Sequence, residues 1–160
     1  MEIEVSAESM TLDLPRVSQT LDYTCGAACF ASMAQYFQIK GSEELRFAKE
    51  LGTLDLGYTP PSQIARLATE YGLRCELKEM VTLRELVDSF ARGSVIFVTW
   101  WDEDAGHYSL VRSLTQGAIA LMDPWTAREE RDNQMPIQDF ITNWKLRGSV
   151  MIAVSSPRAT

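Results

Sequence analysis

The segment CGAACFASMAQYFQI, residues 25–39, constrains this chain more than any other feature. Ala28, Cys29, Met33, Ala34, Tyr36 and Phe37 recur at helical spacing, and the remaining positions are mostly small or apolar as well. A helix that is apolar nearly all round is a buried helix. The rest of the chain must therefore supply elements to surround it. Thr24 or Asp22 is placed to cap its start and Gly41 to end it.

The surrounding elements are legible in turn. Ser42 is expected to cap a helix with Glu43 and Glu44 in its first turn and Gly52 beyond its end. Thr59, Pro60 and Pro61 open a helix through Tyr71 that stops at Gly72, with Pro at the start and Gly past the end. Leu73 to Lys78 alternates as a short strand, and Thr82 to Glu85 is a capping box for a helix ending near Gly93. Three strand-like runs follow at 94–101, 107–114 and 118–123, the last two joined by Thr115-Gln116-Gly117, a hairpin-length connection. Pro136 to Lys145 reads as a last helix and Ser149 to Val154 as a closing strand. Residues 1–18 form an extended arm, in which Pro15 argues against a central strand. Helices crowd the first half and strands the second, which predicts an α+β fold with an antiparallel sheet packed against a helical layer. At 160 residues, without repeats or a long linker, residues 1–160 are expected to form a single domain.

Charge and motif content exclude several functions. Twenty-two acidic against fifteen basic residues leave a net charge of −7, whereas a nucleic-acid or anionic-membrane binder carries a basic footprint. No apolar run approaches a membrane span. Glu2 and Glu4 stand where a secretory signal would be basic, so a cytoplasmic, reduced protein is expected, with secretion as an effector left open. Three cysteines and a single histidine lack the paired spacing of a zinc site. No phosphate loop suggests a cofactor.

Four residues could carry chemistry together. Cys25 opens the buried helix, where free N–H groups and the macrodipole favour an anion, and Gly26 and Ala27 leave it approachable. Cys29 and Cys75 fit ordinary buried cysteines. Gln19, six residues upstream of Cys25, offers an amide beside the nucleophile for a developing oxyanion. His107 is the only histidine and therefore the one available imidazole base. Asp123 ends the next strand. If 114 pairs with 118, then 109 lies opposite 123, and residues 107 and 123 become diagonal neighbours, roughly 7–8 Å apart at Cα. An acid there orients the imidazole and favours its charged form. Trp100, Trp101 and Trp125 flank these strands, and Trp101 and Trp125 are candidate walls of a substrate cleft.

The stretches QTLDYTCGAACFASM, GHYSLV and ALMDP resemble the papain-like cysteine peptidases that process bacteriocin precursors, cutting leader peptides after a double glycine. The resemblance covers about residues 15–155. It implies a papain-like fold, with Cys25 as nucleophile, His107 as general base and then acid, Asp123 as its orienter, and Gln19 at the oxyanion hole. It also implies a peptide or protein substrate and no cofactor. Members fused to export transporters commonly carry an acidic residue just before the cysteine, whereas this chain has Thr24 and looks like a free-standing relative. The residues leave two alternatives open: an acyltransferase, transglutaminase or deamidase using the same triad, and a silent peptide-binding module.

Overall fold

A computed structural model describes residues 10–100 and 107–157. Helix α1 (Cys25–Tyr36) forms where the apolar spacing places it, and every residue from Cys25 to Ala34 is buried. It stops short of Gly41 because Gln38 adopts a left-handed conformation, φ 61°, while Ile39 N–H returns to the Ala34 carbonyl at 2.8 Å. No side chain caps its start. The Thr24 hydroxyl faces the Glu44 carboxylate instead, at 2.9 Å. Ser42 is likewise not a cap: its hydroxyl bonds the Ile39 carbonyl, and α2 (Glu44–Glu50) begins after an extended Glu43.

Gly52 and Gly57, both at φ 78°, bracket a short helix α3 (Thr53–Leu56) that the sequence pattern did not reveal. Helix α4 (Pro61–Glu70) has Pro61 in its first turn. Strand β2 (Arg74–Lys78) leads to α5 (Leu83–Ala91), whose Thr82–Glu85 capping box is formed in full. Strands β3 (Val95–Thr99), β4 (Tyr108–Thr115) and β5 (Ala118–Met122) follow. A short strand β6 (Asn133–Pro136), helix α6 (Ile137–Lys145) and strand β7 (Met151–Ser155) complete the chain. Among the described residues of the N-terminal arm, β1 (Met10–Thr11) is the one strand, pairing with the far end of β4.

The sheet runs β2-β7-β3-β4-β5-β6, and every neighbouring pair is antiparallel. The fold is α+β, but the helices do not form one layer. Val95 and Phe97 of β3 pack with α1, α2 and α4 on one face. Ile96 and Val98 pack with α5 and α6 on the other. This explains the unbroken apolar texture of β3: a central strand covered on both sides has no solvent face to keep polar.

The β4–β5 hairpin corrects the assumed register. Thr115 pairs with Ala118 and Leu114 with Ile119, one residue away from the 114–118 pairing expected. A bulge between Val111 and Ser113 absorbs the difference, so that Leu110 pairs with Met122. The extra residue, Arg112, is held from several sides. Its carbonyl accepts from Leu12 N–H at 2.8 Å, and its guanidinium reaches Asp132 at 3.0 Å and the Leu14 carbonyl at 3.3 Å. Beyond the bulge the ladder runs in the register that sets 109 opposite 123. A one-residue slip exchanges the two faces of a strand, and the bulge performs that exchange within β4.

Phe30 lies at the centre of the α1-side core, fully buried, with the Phe47 ring at 4.8 Å and those of Tyr71 and Phe97 at 6.2 and 6.5 Å. Phe30→Ala is expected to lower unfolding free energy by about 3–5 kcal/mol. Urea denaturation checks this, and a loss below about 1 kcal/mol would show that the surrounding aromatics collapse into the space.

Candidate active site

Cys25 is the first residue of α1 and is 8% exposed. Its Sγ receives the backbone N–H of Tyr108, the first residue of β4, at 3.5 Å. Gly26 permits this approach of helix to strand. A Cβ there would stand 2.9 Å from Thr59 Oγ1 and 3.1 Å from Tyr108 Cδ2, too close without movement of one or the other. Tyr108 is fixed in turn by its hydroxyl, which donates to the Thr59 carbonyl at 2.8 Å.

His107 precedes Tyr108, and its carbonyl accepts from Trp100 N–H at 3.1 Å, tying it to the end of β3. Its Nε2 lies 2.6 Å from Asp123 Oδ1. The Cys25 side chain also favours the charged form of this ring; with Nε2 engaged by the carboxylate, Nδ1 is the nitrogen left for sulfur. Burial opposes charge on this ring, but the bond to Asp123 and the influence of Cys25 outweigh it and push its pKa up to about 10.

Asp123 follows β5 and is 3% exposed. A buried carboxylate needs its lone pairs satisfied. Oδ1 also accepts from Trp125 N–H at 3.0 Å, and Oδ2 accepts from Asn133 Nδ2 at 2.9 Å. Burial alone would raise the Asp123 pKa, but the bond and charge of His107, with the Asn133 and Trp125 bonds, bring it below the usual carboxylate value. Asn133 is positioned because β6 pairs it with Leu121 near the end of β5. The sequence carried no signal for Asn133, since only the pairing of an unforeseen strand brings it to Asp123.

Gln19 is 4% exposed. Its backbone N–H donates to the Pro124 carbonyl at 3.2 Å, joining its loop to the turn after Asp123. Its side-chain Nε2 donates to the Leu21 carbonyl at 2.8 Å and the Asp22 carbonyl at 3.2 Å. Its Oε1 is buried and has no hydrogen-bond partner among the described residues.

The tryptophans separate. Trp100 belongs to the core on the α5–α6 side, and its indole N–H donates to Ser109 Oγ at 2.9 Å. Trp101 lies outside the described residues. Trp125 is half exposed beside Asp123, with the Arg128 guanidinium 4.1 Å from its ring centroid, a cation–π contact. The other two cysteines are free and chemically quiet. Burial, reinforced by Cys25 and Asp123, raises the Cys29 thiol pKa, and burial with Glu76 raises that of Cys75 to about 11. Among the described residues no cluster suits a metal ion, and no helix is long and apolar enough to cross a membrane.

A thiol at a helix start, against a histidine paired to a buried carboxylate, is equipment for acyl transfer through sulfur. The fold places it among known proteins. The chain belongs to the Peptidase C39 family, whose sequence model matches residues 13–158, and it is a cysteine peptidase. A putative C39-like peptidase from Bacillus anthracis shares the fold with a TM-score of 0.75 and 18% identity, over 93% of this chain and 98% of that one. So does a double glycine motif protease from the AMS/PCAT transporter, solved with its leader peptide: TM-score 0.69 and 16% identity, over 96% and 98% of the two chains. The peptidase domain of Streptococcus ComA, a bifunctional ABC transporter of a quorum-sensing pathway, gives 0.67 and 18%, over 88% and 96%. No curated protein matches the chain.

Because His107 is the sole histidine, its imidazole can be titrated by NMR without assignment. The midpoint is expected near 10 in the wild type and much closer to the ordinary value of about 6.5 in Asp123→Asn. A raised imidazole pKa stabilises the fold fully below about 6.5 and progressively less as pH climbs through the folded-state value. Unfolding free energy should therefore fall between about pH 6.5 and 10, and His107→Ala should lose that slope. An unshifted wild-type midpoint would show that the ion pair does not hold in solution.

Proposed function

We propose that this peptidase works through Cys25, His107 and Asp123 and a thioester intermediate, on peptides cut after a double glycine. The observation that carries the reading is the 2.6 Å bond from His107 Nε2 to Asp123 Oδ1, beside a Cys25 Sγ that the N–H of the next residue, Tyr108, reaches at 3.5 Å. The Cys25 thiolate attacks the scissile carbonyl carbon, forming a C–S bond and moving the carbonyl electron pair to oxygen. The His107 imidazolium gives its Nδ1 proton to the departing amine as the C–N bond breaks. A water molecule, deprotonated by His107, then attacks the thioester, releasing the acid and restoring the thiolate. Asp123 keeps the ring oriented and its charge compensated throughout.

The oxyanion formed in each half-reaction needs donors. The backbone N–H of Cys25, in the first turn of α1, has no partner within the helix. Gln19 supplies the second donor by giving up the longer of its two bonds, that to the Asp22 carbonyl at 3.2 Å. Trading a long neutral bond for one to an anion is favourable, since bonds to charged groups are roughly twice as strong. Trp125, exposed beside Asp123, lines the substrate path. The double-glycine preference is supported by the double glycine motif protease that shares this fold.

Mass spectrometry of a double-glycine leader peptide incubated with the protein tests the reading. Cleavage is expected after the second glycine. Cys25→Ala and His107→Ala should each lose at least about 10³-fold in kcat, Asp123→Asn less than His107→Ala, and Cys29→Ala little. Cleavage by Cys25→Ala at the wild-type rate would overturn the nucleophile assignment.

A further inference from the structure

Glu44 is a glutamate only 8% exposed, at the first residue of α2. Among the described residues the ion pairs involve other acids, and Glu44 is satisfied instead by hydrogen bonds from one short segment. Oε2 accepts the Thr20 N–H at 2.6 Å and the Thr24 hydroxyl at 2.9 Å, and Oε1 accepts the Thr20 hydroxyl at 2.6 Å. All three donors lie between Gln19 and Cys25. Bonds to a buried carboxylate are short and strong, and losing the acceptor strands the donors.

Within that segment the Thr24 Oγ1, its proton directed to Glu44, accepts the Leu21 N–H at 3.1 Å and stands 3.0 Å from the Leu21 carbonyl. The carbonyls of Leu21 and Asp22 are in turn the two acceptors that hold the Gln19 amide. The carboxylate thus fixes both ends of the loop whose middle presents those carbonyls. We infer that Glu44 is a positioning residue for the oxyanion side of the site: it holds the Thr20–Thr24 loop so that the Gln19 amide and the Cys25 N–H converge on one point. The inference rests on the Cys25 acyl-transfer reading above. Glu44 touches neither sulfur nor substrate, and the His107–Asp123 pair is built from a separate part of the chain.

That separation supplies the test. Acylation of Cys25 by a p-nitrophenyl ester passes through a tetrahedral oxyanion, whereas alkylation by iodoacetamide does not. Both rates are to be measured for wild type, Cys25→Ala, Glu44→Ala, Glu44→Gln and Thr20→Val, with alkylation resolved by peptide mass. Glu44→Ala should slow acylation about 10²-fold, in the range of a lost oxyanion donor, while alkylation stays within about 2-fold of wild type. Glu44→Gln, which keeps an acceptor oxygen, should recover most of the loss. Thr20→Val, which removes one of the three bonds to the carboxylate at an exposed position, should lie between. Equal acylation in wild type, Glu44→Ala and Thr20→Val would overturn the inference while leaving the Cys25 chemistry intact. So would acylation and alkylation falling in the same proportion. If wild-type Cys25 reacts with neither reagent faster than Cys75, the acyl-transfer reading fails and takes this inference with it.

Discussion

A helix that is apolar on every side has to be enclosed, and enclosing α1 organises the rest of the molecule. Its small residues, Gly26, Ala27, Ala28, Ala31 and Ala34, let the neighbouring elements come close. The α1-side faces of β3, β4 and β7 lie against it, with α2 and α4 beside it. Close packing of this kind admits few voids. The start of the helix is consequently driven against the first residue of β4, with Cys25 Sγ 3.5 Å from Tyr108 N. The proposed nucleophile sits at a dry helix terminus because the helix behind it has nowhere else to go. The N-terminal arm closes the same enclosure. Leu14 is buried in that core, and the Pro15 carbonyl accepts from the buried Ser32 hydroxyl at 2.5 Å.

Much of this architecture is legible in the sequence because it rests on local periodicity. The apolar spacing of α1, the proline start of α4 and the capping box of α5 each encode their own element. What was missed depends on distant partners. Helices cover both faces of the sheet because β3 has two apolar faces, and continuous apolarity within a strand does not say which helix covers which side. Strand β6 is too short and too polar to announce itself, and exists because β5 offers it an edge. The hairpin register is a further case. The turn residues point to a hairpin, but the bulge at Arg112 is stabilised by Leu12, Leu14 and Asp132, from opposite ends of the chain.

The candidate site divides in the same way. Cys25, His107 and Asp123 are legible because each pairs a reactive side chain with an element boundary, a helix start or a strand end. The bulge then decides whether His107 and Asp123 meet. With the register of the turn carried on unbroken, Asp123 would be displaced by one residue from its position opposite Ser109. Asn133 and Glu44 are illegible for a different reason. In sequence Glu44 is an ordinary first-turn acid, and only the tertiary approach of Thr20 and Thr24 turns it into a buried, bonded carboxylate. Gln19 is intermediate. Its proximity to Cys25 was readable, but the two backbone carbonyls that hold its amide were not.

Two buried carboxyl groups, Asp123 and Glu44, lie in the elements around the candidate site, and their partners differ in kind. Asp123 is compensated by an imidazole whose charge changes during the proposed reaction, together with two fixed donors from Asn133 and Trp125. The fixed donors go on favouring the ionised carboxylate while the His107 proton is away. Glu44 is compensated by a backbone N–H and two hydroxyls, none of which changes charge at neutral pH. A static acceptor suits a loop whose geometry must not vary between the two half-reactions. The Gln19 N–H to Pro124 bond then links the two halves, so that the loop held by Glu44 is registered against the turn that carries Asp123. Preorganisation by charge-assisted bonds, rather than by apolar contact alone, matches what an oxyanion site requires: donors fixed before charge develops.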